Sequence, residues 1–170
     1  MAIIDDVARP EFRFTGNEAE ILWSKLDFLR STILKKCEGL GEQQLKLRSV
    51  MPSELSLLEL LQHLTGAERH WFQECLAGMV LEPLYTTTPD GEIEPLDPTT
   101  TEETVAQYLT ACDDSRRISA AHSLEEVVFS VVYDQAVSSR FIAVHMIEEY
   151  ARHCGHADLL RETIDGAVGE

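Results

Sequence analysis

Residues 138–166 read SSRFIAVHMIEEYARHCGHADLLRETIDG. Ser138 or Ser139 can cap a helix start, and Gly166 stands where a chain leaving a helix favours a left-handed residue. The stretch is therefore expected to form one long final helix, and three of the chain's six histidines fall on it. A helix that long needs other apolar stripes to pack against, and the preceding sequence supplies three.

The first runs from about Asn17 to Cys37, where Ile21, Trp23, Leu26, Phe28, Leu29, Ile33 and Leu34 recur at three- and four-residue steps before Gly39. A connection, GLGEQQLKLRSVMP, is expected to hold a short turn with Leu40, Leu45 and Val50 packed down. The second helix should start at Ser53 or Ser56, bury Leu57, Leu60, Leu61, Leu64 and Trp71, and continue to Gly78. Between Gly78 and Thr100, four prolines (Pro83, Pro89, Pro95, Pro98) and the turn-like Pro89-Asp90-Gly91 mark a long loop. Loops of that length in a compact domain are uncommon and often functional, for example as a cover over a site. The third helix is capped by Thr100 or Thr101 and runs to about His122, with Val105, Tyr108, Leu109, Cys112 and Ile118 on its apolar side. After Ser123, VVFSVVY is rich in β-branched and aromatic residues and reads as an extended piece or one side of a hairpin. Four striped helices predict an all-α, antiparallel four-helix bundle, a single domain over residues 1–170 with its long loop between helices two and three.

Bulk charge excludes some functions. Lys and Arg number 14 against 30 Asp and Glu, for a formal net charge of −16. Such a surface repels phosphate backbones and anionic membranes, so neither nucleic acid nor membrane is an expected partner. The opening MAIIDDVARPEF carries acids where a signal peptide has a basic region, and no apolar run is long enough to cross a bilayer, which predicts a cytoplasmic protein. Cys37, Cys75, Cys112 and Cys154 form no C-x-x-C pair and read as reduced thiols.

The histidines invite a metal. Positions four apart stay within about 40° of each other around a helix, so His145, Glu149 and His153 share one slowly turning face. Glu149 and His153 can close on one ion, but one helix cannot surround it, and His63 on the core-facing flank of helix two is the natural third donor. A His₂Glu set leaves a position open for water or substrate, the pattern of catalytic zinc. A single histidine in a helix is nonetheless more often a hydrogen-bonded core or surface residue than a ligand. His70, His122 and His156 are read that way, whereas His145 is open as a supporting partner or a substitute ligand. Glu-x-x-His, the di-iron pattern of helix bundles, is absent. So are a G-x-S-x-G elbow, a phosphate loop and a dinucleotide fingerprint.

The runs HMIEEYARHCGHADLLRETIDG, LSLLELLQHLTGAERHWF and ARPEFRFTGNEAEILWSKLDFLRSTILKKCEGL together resemble the DinB-like (YfiT-like) metalloenzyme family over nearly the whole chain. The likeness is closest to the mini-circle branch, which is similar to the N-terminal domain of mycothiol-dependent maleylpyruvate isomerase. It implies a four-helix bundle holding one divalent metal, zinc or nickel, at His63, Glu149 and His153. Many members carry His-x-x-x-His on the last helix, where this chain has the Glu-x-x-x-His variant of the isomerase branch. The resemblance further implies activation of a low-molecular-weight thiol such as mycothiol for transfer to an electrophilic substrate or for isomerisation, and pairing into a homodimer. The isomerase's additional C-terminal domain has no counterpart in these 170 residues. The alternative is a non-catalytic, stress-related bundle that binds a metal or a protein partner.

Overall fold

In the computed structural model, which describes residues 4–85 and 100–169, the chain is all-α with one small hairpin. Helix α1 spans Glu18–Cys37, α2 Glu42–Leu45, α3 Leu57–Glu68, α4 Thr101–Ala121 and α5 Ser139–Asp165. Strands β1 (Val127–Ser130) and β2 (Gln135–Ser138) pair antiparallel, with Val127 opposite Ser138 and Ser130 opposite Gln135. Of the long loop, residues 86–99, with Pro89, Asp90, Gly91, Pro95 and Pro98, lie outside the described residues.

Helix starts follow the caps. Asn17 and Thr100 each accept from the backbone N–H three residues on, and Glu20 and Glu103 reach back to complete capping boxes. Ser56 and Ser138 cap α3 and α5 in the same way from their side chains. Gly166, at φ 79°, ends α5 in the left-handed region that a side chain would disfavour.

Helix α1 lies along α5, α3 along α4, and α3 also meets α5. Their shared core is built from Leu26, Ile33, Leu61, Phe72, Tyr108 and Tyr150, among others. Three expectations need correction. The second helix is not α-helical throughout: after Glu68 it widens into a π-helical turn over Arg69–Leu76. That winding still buries Trp71, Phe72 and Leu76, which is why apolar spacing alone did not expose it. On α4, Leu109 is 46% exposed, and Ala111, Cys112 and Ser115 take the buried face with Tyr108. In VVFSVVY only the first four residues are strand. Val131, Val132 and Tyr133 belong to the turn, which Asp134 closes at φ 51°.

The core also holds a charge. Arg30 on α1 is buried and grips Glu68 through Nε (2.8 Å to Oε1) and Nη2 (2.7 Å to Oε2), while its Nη1 donates to Asp27 at 2.9 Å. The Tyr150 hydroxyl donates to the same Glu68 Oε1 at 2.8 Å, and the Tyr108 hydroxyl donates to the Arg30 carbonyl at 3.0 Å. This group ties α1, α3, α4 and α5 together, and burial pushes both tyrosine hydroxyls well above their usual range. Burial acts to lower the Arg30 pKa, but the adjoining Glu68 carboxylate outweighs it and keeps the guanidinium firmly charged.

Candidate metal centre

Glu149 and Tyr150 are neighbours on α5 that face different ways. Tyr150 points into the core just described, whereas Glu149 is turned outward across the seam with α3, where His63 sits. His63 lies one helical turn before Ala67, and its side chain is 48% exposed rather than on a core-facing flank. Its Nε2 stands 2.7 Å from Glu149 Oε1. One turn along α5, His153 brings its Nε2 to 3.1 Å from the same oxygen. The rings of His63 and His153 lie 4.7 Å apart between centroids, tilted by 59°.

One ligand-type atom from each of these three residues lies within 4.8 Å of the others. Zinc ligands at about 2.0–2.2 Å stand about 3.3 Å apart around a tetrahedron, so small side-chain movements bring the three to one ion. Protonation favours the same outcome. Burial acts to raise the Glu149 pKa, but the His63 hydrogen bond and the neighbouring imidazoles outweigh it and hold the carboxyl below its usual range. Burial and the nearby His63 push His153 down, which leaves its imidazole neutral near pH 7. An ionised carboxylate beside a neutral imidazole is the state a divalent ion requires of its ligands. The donor set therefore fits such an ion.

His145, the other candidate on α5, is not brought to this set. It joins an aromatic group, 4.8 Å from Trp71 and stacked on Phe141 at 5.8 Å. His122 pairs with Glu126, and His70 pairs with Glu74. His156 is different: helical spacing returns it to the face of His153, and its Nδ1 lies 3.3 Å from Nδ1 of that residue, a contact to which the sequence assigned no role. The only signal for it was spacing, since residues three apart on a helix are surface neighbours.

Beside His63 opens a cavity of about 670 Å³, walled by His70, Leu81, Leu84, Tyr85 and Val132. Three of the four thiols are buried and inert, with Cys37 and Cys112 pushed up to about 12 and Cys154 to about 11 by burial. Among the described residues no helix is long and apolar enough to cross a membrane.

A comparison with curated proteins finds none that matches this chain. The family model for Mycothiol-S-transferase does match, over residues 21–166, a span that includes α1 from Ile21 onward, the hairpin, α5 and all three members of the histidine and glutamate set. The chain belongs to the mycothiol-S-transferase family, a DinB-like family, and that membership implies a mycothiol-dependent thiol transferase activity.

Proposed function

We propose that this chain is a metal-dependent mycothiol S-transferase in which His63, Glu149 and His153 hold one divalent ion, zinc or nickel. The observation that carries the reading is the convergence of three ligand atoms from α3 and α5 beside an open cavity. The same reading takes residues 1–170 as a single cytoplasmic domain, an antiparallel four-helix bundle. Packing of α1 on α5 and of α3 on α4 supports that arrangement. It also takes the chain as akin to the N-terminal domain of mycothiol-dependent maleylpyruvate isomerase, working as a homodimer.

The reaction class joins the thiol sulfur to an electrophilic carbon, while the S–H proton and the leaving group with its electron pair depart. When bound, the ion supplies the positive charge that keeps a thiol ionised near neutral pH. The protein's own contribution is readiness: Glu149 is already ionised and His153 is already neutral, so neither carries a proton in excess of the charge state a ligand needs. The electrophile is housed by the cavity at His63, where Leu81, Leu84, Tyr85 and Val132 offer apolar contact and exclude water from its body.

The test is thiol consumption by the zinc- or nickel-loaded chain with mycothiol and an alkylating electrophile. His63→Ala, Glu149→Gln and His153→Ala should each lower the rate by about 100-fold or more, because a lost ligand should exceed the effect of losing its outer partners. Far-UV circular dichroism should be unchanged. Wild-type rates in all three variants would defeat the reading. A chain that turns over no thiol and whose melting temperature collapses on chelation would be the non-catalytic metal-binding bundle instead.

A further inference from the structure

His153 has two ring nitrogens, and both are engaged. Nε2 faces Glu149 Oε1 at 3.1 Å, and Nδ1 faces Nδ1 of His156 at 3.3 Å, with the two rings 5.2 Å apart and 70° from coplanar. His63 has no such support: among the described residues, its Nδ1 meets no hydrogen-bond partner. Of the two imidazoles in the set, only His153 therefore has a hydrogen-bond partner at Nδ1 among the described residues.

Proton counting fixes what that contact must be. A carboxylate oxygen only accepts, so in the metal-free chain the short approach to Glu149 requires the proton of a neutral His153 to sit on Nε2. Its Nδ1 is then bare and must accept from Nδ1–H of His156. A cation can use Nε2 of His153 only when that nitrogen is bare, which moves the proton of His153 to Nδ1. Nδ1 of His156 must then accept, with its own proton on Nε2.

We propose that His156 is the positioning residue of this centre, a reversible hydrogen-bond partner that orients His153 and selects its tautomer as the ion enters. The inference rests on the ligand set proposed above. Across the change, the proton between the two Nδ1 atoms passes from His156 to His153. Solvent takes one proton from His153 Nε2 and returns one to His156 Nε2, so the pair holds two protons throughout. Most side chains that support a metal-bound histidine are acceptors only. A second imidazole can serve both the empty and the loaded state, because it can donate or accept.

The experiment is zinc affinity of the full chain by chelator competition, alongside histidine ¹⁵N NMR. His156→Ala should weaken zinc by about 10–100-fold, the range for losing such a partner. His156→Asn, whose side-chain oxygen can accept from His153 Nδ1–H, should recover most of that loss. On loading, His153 Nδ1 should become the protonated nitrogen and His156 Nδ1 the bare one. Undiminished affinity in His156→Ala, equal impairment in Ala and Asn, or a proton retained on His156 Nδ1 in the loaded chain would each overturn the proposal. Should the wild-type chain bind no zinc, the ligand set itself fails and this proposal with it. Zinc binding by the wild type that His156→Ala leaves intact defeats the proposal alone.

Discussion

Two glutamates, Glu68 and Glu149, meet side chains of the same helix seam and are treated in opposite ways. Glu68 is sealed in the core against a guanidinium whose positive charge is fixed, and Tyr150 adds a further donor. Its charge is cancelled and its oxygens are occupied. Glu149 is half-buried and faces two imidazoles, of which His153 is neutral near pH 7. Hydrogen bonds reach its oxygen, yet among the described residues no Lys or Arg neutralises it. The difference teaches how one scaffold separates strength from reactivity: the carboxylate with a permanent counter-charge holds the helices, and the one without belongs to the proposed metal set.

That contrast breaks first, and most heavily, at Arg30. Arg30→Met leaves the Glu68 charge buried without its partner, which should reduce unfolding free energy by about 3–5 kcal/mol in a denaturant titration. Glu149→Gln, which removes a charge from the open set, should shift stability by less than about 1 kcal/mol, as expected away from tightly packed or fully buried groups. Similar losses in the two variants would mean that the open set is as structural as the core.

A smaller effect is expected where the two regions touch. Tyr150→Phe removes one of the donors on Glu68 but keeps both from Arg30, so stability should fall by about 1–2 kcal/mol. Zinc affinity should hold within about threefold, because Tyr150 and Glu149 face different sides of α5 even though they are adjacent in sequence. A drop in affinity as large as that of Glu149→Gln would show that the core network sets the pose of the ligands, and the separation drawn above would fail.

What the sequence disclosed follows the same division. Helix starts were legible because Asn17, Ser56, Thr100 and Ser138 act locally, each accepting from the amide three residues on. Glu149 and His153 were legible because four residues is a helical repeat, and His63 because a bundle must supply a facing donor. The family resemblance carried the set further than spacing could. The Arg30 to Glu68 pair went unread although the signal was present: each charge falls in line with an apolar stripe, Arg30 beside Leu26 and Ile33, and Glu68 beside Leu61 and Leu64. A charge in such a place predicts a buried partner, but which partner depends on how helices far apart in sequence meet. The π-helical turn after Glu68 was hidden for a related reason, since Trp71, Phe72 and Leu76 satisfy the core under either winding.

A third acid, Glu38, gives the smallest effect and sharpens the comparison from the surface. It follows the last turn of α1, where a negative charge meets the negative end of the helix dipole and gains nothing from it. Lys35 at 2.5 Å and the backbone N–H of Val7 at 2.7 Å overcome that and draw its carboxyl below the usual 4.5. Because the folded value is the lower one, the unfolded chain takes up its proton first as pH falls. The stability Glu38 contributes is therefore complete above about pH 4.5 and declines as pH drops through the depressed folded value. Melting temperatures measured from about pH 6 down to about pH 3 should then converge between the wild type and Glu38→Gln, the wild type losing its advantage only in the acid range. A gap that stays constant through that range would mean that Glu38 acts through its shape and its contact with the Val7 amide, not through its charge.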